Sequence, residues 1–137
     1  MFRCLKNSTY NMKYIKTFEY KKKKYYTIEN ELIDAVYNNQ YSKVKRLLDS
    51  GFDINSTVVG EKNNALLYAS YKGYWSILYL LLKYNPDWYV KDDSKTDFIQ
   101  LIEEHLYGDK VIEKIRKKYS EKYEEYLMKK NIEKFNL

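Results

Sequence analysis

The sequence predicts an all-helical protein built from a short stack of repeated helix pairs. The chain resembles itself at a spacing of 34 residues, so that Ala35 corresponds to Ala69 and Asp53 to Asp87. Internal periods of this size are typical of stacked-repeat architectures. The 137 residues include four Gly and one Pro, too few for the many tight turns of an all-β fold. We therefore expect one domain of helices joined by short turns.

The first repeated unit covers residues 31–55 and contains two short apolar stripes at helical spacing. A polar break at residues 38–40 separates them. This pattern predicts a helix, a tight turn and a second helix. The predicted buried residues are Leu32, Ile33, Ala35 and Val36, then Val44, Leu47 and Leu48.

The second unit, residues 65–89, repeats the pattern, with Gly73 at the place of Asn39 and Asn85 at the place of Gly51. Gly and Asn are the residues that best tolerate a left-handed backbone. The same two turns are therefore predicted in both units. The buried positions are Leu66, Leu67 and Ala69, then Ile77, Leu78, Leu80, Leu81 and Leu82.

A third unit begins near Thr96, with Phe98, Ile99, Leu101 and Ile102 on the buried face of its first helix. A turn is expected at residues 106–109. Apolar side chains at i, i+4 and i+8 spacing then predict a helix from about Asp109 that runs on into a C-terminal capping helix. The predicted repeat domain, with its cap, is residues 28–137.

The N-terminal segment, residues 1–27, is basic. Residues 1–30 carry eight Lys or Arg and two acidic residues, whereas residues 31–137 carry 17 of each charge. The run from Tyr20 to Tyr26 combines four lysines with aromatic residues. Such a run suits nucleic acid, because lysines neutralise phosphates while aromatic rings stack on bases, and it also suits an anionic membrane surface. A solvated basic tail is the simpler interpretation. The candidate nucleic-acid contacts are Lys21, Lys22, Lys23, Lys24, Tyr25 and Tyr26.

The run Leu47-Leu-Asp-Ser-Gly-Phe-Asp-Ile-Asn55 resembles the ankyrin repeat, whose units end in Leu-Leu-x-x-Gly-Ala-Asp-x-Asn. The units keep some Leu and Ala positions of the family's Thr-Pro-Leu-His-x-Ala-Ala opening but lack its Pro and His. Tyr89 replaces the closing Asn of the second unit. Tetratricopeptide repeats share the 34-residue period but would not explain the Gly51–Asn55 run. The resemblance, over about residues 29–105, implies an ankyrin-type solenoid of stacked helix-turn-helix units.

Similarity to ankyrin repeats also implies a concave surface formed by the first helices and by projecting hairpin fingers. Tyr and Trp are frequent binding anchors because they bury a large area with few rotatable bonds. Alternatively, the 17 Tyr reflect an AT-rich coding sequence and several rings pack between repeats. The candidate partner contacts are Tyr37, Asn38, Tyr68, Tyr71, Lys72, Tyr74, Trp75, Trp88, Tyr89, Lys91 and Asp92.

Residue types needed for chemistry are scarce. A single Cys4 and a single His105 provide neither a disulfide nor a zinc-binding pattern. No nucleophile–base pair or glycine-rich phosphate loop accompanies His105, which is better interpreted as a turn residue. We expect no enzyme activity, cofactor or metal. No stretch reaches the roughly 18 apolar residues of a membrane span, so the expected location is the cytoplasm or, after delivery, a host cytosol.

The sequence therefore predicts a protein-binding adaptor or inhibitor, with a toxin antidote and a host-directed effector as narrower versions. An acidic partner suits the basic chain, and self-association is left open. The alternative is nucleic-acid binding through the basic N-terminal segment, assisted by basic residues of the C-terminal helix. Those residues are Lys114, Arg116, Lys117, Lys118 and Lys122.

Overall fold

The computed structural model describes residues 30–135, which form helices and turns. The helices are α1 (Glu31–Tyr37), α2 (Tyr41–Asp49), α3 (Ala65–Lys72), α4 (Trp75–Leu82), α5 (Phe98–Glu103), α6 (Gly108–Lys118) and α7 (Ser120–Phe135). The pairs α1–α2, α3–α4 and α5–α6 are the three predicted helix-turn-helix units. No helix in this part of the chain is long and apolar enough to cross a membrane.

The helix pairs form two layers. The inner helices α1, α3 and α5 pack side by side, with α2 behind α1, α4 behind α3, and α2 against α4. The apolar positions predicted for the three units are buried and belong to one continuous core. The predicted helical repeat is thereby confirmed, because burial at these spacings requires both helices of each pair to present an apolar stripe to their neighbours.

Each inner helix begins after a buried Asn or Asp that caps it. The side-chain oxygen of the cap accepts a hydrogen bond of 3.0 Å from the backbone N–H three residues later. This bond satisfies one of the donors that a helix N-terminus leaves unpaired. The caps are Asn30, Asn64 and Asp97. At the third cap the backbone N–H of Asp97 also donates a hydrogen bond to Gln100 Oε1, which completes a capping box.

The predicted left-handed turns are confirmed. Asn39 and Gly73, between the helices of units one and two, have φ of 58° and 74°, and Gly51 and Asn85, after the second helices, have φ of 96° and 57°. The backbone at these positions agrees with the sequence, because residues other than Gly, Asn and Asp rarely adopt positive φ.

His105 packs directly on the turn at Gly73. Its Nε2 lies 2.9 Å from the carbonyl oxygen of Ser70 and 3.0 Å from that of Tyr71. Carbonyls only accept hydrogen bonds, so Nε2 carries the hydrogen and donates it to the last turn of α3. A Cβ at Gly73 would lie 2.9 Å from the imidazole ring. His105 therefore has a structural role, which ties the third unit to the second.

We expect Gly73→Ala to lower the free energy of unfolding by about 1–3 kcal/mol, because it combines a strained positive φ with a collision against His105. Gly51→Ala is the matched control, since Gly51 also has positive φ but nothing lies within 4 Å of its added Cβ. Urea denaturation of both variants separates the contact from the backbone strain. Equal losses of stability would show that the approach of His105 contributes nothing.

The connections between units are turns rather than the expected hairpin fingers, since no strand forms in the described chain. Asp53 and Asp87 each accept a hydrogen bond of 2.9 Å from the backbone N–H two residues later, and this local bond favours a turn. Asn55 accepts a further bond of 2.9 Å from the N–H of Asp87 and thereby joins successive units. Tyr89 stands where the second unit would need that Asn.

The prediction of one long helix from about residue 109 into the cap is wrong. Helix α6 ends at Lys118, because Tyr119 leaves the helical backbone with φ −121° and ψ 50°. Helix α7 then folds back, so that Tyr126, 3% exposed, reaches Asp97 at the start of α5. Helix α6 is therefore the second helix of the third unit, and α7 alone is the cap.

Candidate functional site

Aromatic side chains gather on the solvent side of the inner helices. The ring centroids of Tyr37 and Tyr68 are 6.2 Å apart at an interplanar angle of 81°, an edge-to-face contact typical of aromatic pairs. Lys72 Nζ lies 4.3 Å from the Tyr37 centroid. We call the surface formed by Tyr37, Tyr68, Tyr71 and Lys72 the inner-helix face. It brings together four of the predicted partner contacts.

Tyr68 is fixed while its neighbours remain accessible. Its hydroxyl donates a hydrogen bond of 2.7 Å to Glu61 Oε1. Burial, together with this bond to the carboxylate, raises the pKa of Tyr68 to about 12, which favours the protonated form that donates the bond. Tyr37 and Tyr71 are 43% and 66% exposed. The face therefore has one anchored ring between two available ones.

A small groove adjoins these rings on the side of α5. Its volume is about 200 Å³, and Tyr68 and Tyr71 form one wall. Leu67, Leu101, Asn63 and Asp92 complete the lining. Sequence reasoning assigned Leu67 and Leu101 to the core and gave no signal for Asn63, because the groove exists only where three separate segments meet.

Two of the predicted contacts also hold turns. Asn38, an exposed residue at the end of α1, donates from Nδ2 to the carbonyl oxygen of Asp34 at 2.8 Å. Asp92 Oδ1 accepts hydrogen bonds of 2.9 and 3.0 Å from the backbone N–H groups of Ser94 and Thr96. Asp92 remains part of the groove lining, where its turn holds the carboxylate in place.

Tyr74 lies between α3 and α4, Trp75 is the first residue of α4, and both are half-buried. The Trp75 ring meets that of His105 edge-on, with centroids 4.9 Å apart. This contact joins the second unit to the third. Neither Tyr74 nor Trp75 lines the groove.

Trp88, expected on the exposed surface, is a core residue that is 2% exposed. Its ring packs edge-on against Phe98 at 5.2 Å and against Tyr119 and Tyr126 at 6.4 Å each. Trp88 is therefore not an exposed partner contact, because Tyr119 and Tyr126 of the C-terminal part of the chain cover its indole ring. A large apolar ring gains more free energy from such burial than it would on an exposed loop.

Tyr89 and Lys91 are also engaged by α7. The Tyr89 ring lies nearly parallel to Tyr126, with centroids 6.4 Å apart, and Lys129 Nζ lies 4.2 Å from the Tyr89 centroid. Lys91 Nζ lies 3.4 Å from a carboxylate oxygen of Glu133. The predicted contacts thus include the inner-helix face and a separate group, Trp88, Tyr89 and Lys91, that contacts the cap.

Lys21, Lys22, Lys23, Lys24, Tyr25 and Tyr26 lie outside the described residues. Within residues 30–135 no cluster of three or more His, Cys, Asp or Glu side chains is arranged to hold a metal ion.

Comparison with known families finds a match to a family model described as ankyrin repeats in many copies, over residues 32–95. Among solved structures, the chain is similar to the ankyrin repeat domain of Bcl-3, a unique member of the IkappaB protein family, with 28% sequence identity and a TM-score of 0.48. That match covers 51% of this chain and 30% of the Bcl-3 chain. No curated protein matches the sequence.

Proposed function

We propose that the chain, whose residues 32–95 match the ankyrin repeat family model, is a protein–protein interaction module whose partner docks on the inner-helix face. The observation that carries the proposal is that Tyr71 is exposed at the wall of an apolar groove and that Tyr37 is exposed against Tyr68, which belongs to the same wall. Exposed aromatic rings next to a pocket are the usual anchors of protein interfaces.

The size of the groove favours a protein partner over a metabolite. Its volume of about 200 Å³ is below the roughly 300–1,000 Å³ of small-molecule sites. The groove would receive one side chain of a docked partner, while Tyr37 and Tyr71 contact the partner's backbone on either side of that side chain. Such an arrangement, with a filled central pocket inside a rim that excludes water, is typical of interface hot spots.

The charges beside the groove indicate which partner side chains it would accept. Asp92 lines it, and Glu61 is held next to it by Tyr68, whereas Lys72 lies over Tyr37 at the far side. This face therefore suits an apolar anchor flanked by hydrogen-bond donors. The expected acidic partner, which these charges do not favour, would need a different surface.

The test is a double variant, Tyr37→Ala with Tyr71→Ala, used as bait in affinity capture. Removing two exposed anchors should weaken partner binding by about 700-fold, at roughly 2 kcal/mol for each anchor. The matched control is Tyr41→Ala with Tyr107→Ala, because these tyrosines are 42% and 62% exposed but neither belong to the inner-helix face nor line the groove. Both variants should keep the wild-type circular dichroism spectrum and melting temperature.

Proteins captured by wild type and control, and lost from the Tyr37/Tyr71 variant, would support the proposal. Equal capture by all three baits would contradict the assignment to the inner-helix face. The identity of the captured protein then decides among adaptor, toxin antidote and host-directed effector.

Size-exclusion chromatography of wild type checks the self-association left open above, for which the exposed Met128, Ile132 and Phe135 of α7 offer an apolar surface.

The alternative, nucleic-acid binding, rests on exposed cations of α6, namely Lys114, Lys117 and Lys118. The lysine run of the N-terminal segment would add to them but lies outside the described residues. Nuclease treatment during the same capture separates the two functions. Recovery of nuclease-sensitive material, lost on removal of residues 1–26 and falling steeply with salt, would favour nucleic acid.

A further inference from the structure

We infer that a cleft between α4 and α6, on the outer-helix side, is a second binding site and that it takes an acidic peptide segment with an apolar anchor. The cleft has a volume of about 490 Å³. Its floor is formed by Tyr79, Ile115 and Tyr119. Its rim consists of four lysines, Lys83, Lys114, Lys117 and Lys118, and no carboxylate lines it.

The cleft exists because α6, the second and outer helix of the third unit, departs from the stack formed by α2 and α4. Helix α2 packs along α4, whereas α6 packs against α5 and α7 and is not among the helices packed closely on α4. Lysines at 114, 117 and 118 occupy the side of α6 that borders the cleft. Lys83 lies on the opposite side of the cleft, just after the end of α4. The like charges of these lysines oppose a closer approach of α6 to α4, since desolvating like charges together is unfavourable.

The lysines of the rim have no ion-pair partner within the described residues. Arg116, on the same helix, forms an ion pair of 2.6 Å with Glu113, but the four rim lysines form no ion pair with any residue in the range 30–135. Like charges three and four residues apart on a helix repel each other. An anionic ligand on the rim would remove that repulsion.

Charge also argues against the chain's own N-terminal segment as the occupant. Residues 1–30 carry eight basic and two acidic side chains, so the rim would repel them. A second copy, with a net charge of +6, is disfavoured for the same reason. The occupant is therefore a different molecule with a surplus of negative charge.

The geometry of the lysines favours a peptide over nucleic acid. Lys114 Nζ lies 5.1 Å from the Tyr79 centroid and Lys118 Nζ lies 5.9 Å from the Tyr119 centroid. These ammonium groups cover ring faces that stacked bases would need. Carboxylates can bind the same ammonium groups where they are, while one apolar side chain enters the cleft and contacts the floor.

The experiment uses the full chain and a fluorescein-labelled synthetic peptide with one central phenylalanine flanked by glutamates, monitored by fluorescence anisotropy. A second peptide has serine in place of the phenylalanine, and a third has lysines in place of the glutamates. Labelled oligothymidylate is the nucleic-acid probe. The protein variant is Lys114→Glu with Lys117→Glu. The control, Lys110→Glu with Lys134→Glu, makes the same change in net charge outside the cleft.

We expect the acidic phenylalanine peptide to bind, and to bind the Lys114/Lys117 variant about tenfold or more weakly, because two attractive contacts become repulsive. The control variant should bind within about twofold of wild type. Replacing the phenylalanine should weaken binding, and the lysine peptide should not bind. Circular dichroism checks that both variants are folded.

Three results would overturn the inference. They are no binding of the acidic phenylalanine peptide, equal losses in the Lys110/Lys134 and Lys114/Lys117 variants, or tighter binding of oligothymidylate that disappears with the cleft lysines. The last result would assign the cleft to nucleic acid. The cleft and the inner-helix face share no residues, so the Tyr37/Tyr71 variant should bind the peptide like wild type, and either proposal can fail alone.

Discussion

Replacing Trp88 with alanine is expected to lower the free energy of unfolding by about 3–5 kcal/mol, the usual cost of deleting a buried large aromatic ring. The indole is enclosed by Phe98, Tyr119 and Tyr126, so its removal leaves a cavity where the third unit meets α7. Urea denaturation followed by circular dichroism measures the change.

The control for Trp88→Ala is Tyr107→Ala, which removes a ring that is 62% exposed and should change stability by no more than about 0.5 kcal/mol. Where the alanine variant does not fold, Trp88→Phe takes its place and should still destabilise by about 1–2 kcal/mol. Unchanged stability of Trp88→Phe and Trp88→Ala, together with loss of partner capture, would return Trp88 to the binding surface.

Asp97→Ala is expected to destabilise the protein by about 2–4 kcal/mol, because one substitution removes a helix cap and leaves a buried hydroxyl without its partner. Asp97 caps α5 and accepts hydrogen bonds of 3.0 and 2.8 Å from the hydroxyl of Tyr126. Lys130 Nζ lies 3.2 Å from the same carboxylate. Thermal and urea unfolding measure the loss.

A double-mutant cycle with Tyr126→Phe isolates the link between α5 and the cap. We expect Asp97 and Tyr126 to be coupled by about 0.5–3 kcal/mol, the range for residues in direct contact. Asp97→Asn is the matched variant, because Asn also caps helices well; it should keep much of the stability that alanine loses. Additive effects of Asp97→Ala and Tyr126→Phe would contradict a coupled cap.

The inner-helix face could be predicted only in part. The repeat period placed Tyr37, Tyr68, Tyr71 and Lys72 on one side of the inner helices, and the structure brings them together. The groove beside them could not be predicted, since its lining combines α3 with Leu101 of α5 and with Asp92 from the connection before α5. Asp97 and Gln100 show the capping-box spacing in the sequence, but nothing there indicates that Tyr126, 29 residues away, completes the site.

The closing residues of the first two units, Asn55 and Tyr89, could also be interpreted only in part from the sequence. Asn55 joins its unit to the next through Asp87, whereas Tyr89, at the corresponding position, stacks on Tyr126 instead. The sequence shows the replacement of Asn by Tyr. Only the folded chain shows that α7 packs against the end of the second unit, where it contacts Trp88, Tyr89 and Lys91.

By itself, the sequence determined the helix pairs, their buried stripes and the left-handed turns at Asn39, Gly51, Gly73 and Asn85. These features depend on side chains within a few residues of each other and on backbone preferences that each residue carries with it. The tertiary structure decided that the last helix breaks at Tyr119, that Trp88 is buried, and that a lysine-rimmed cleft separates α4 from α6. Those outcomes depend on contacts between segments far apart in the chain. An aromatic ring is stabilised by burial when another segment packs over it, and it is left available to a partner when none does.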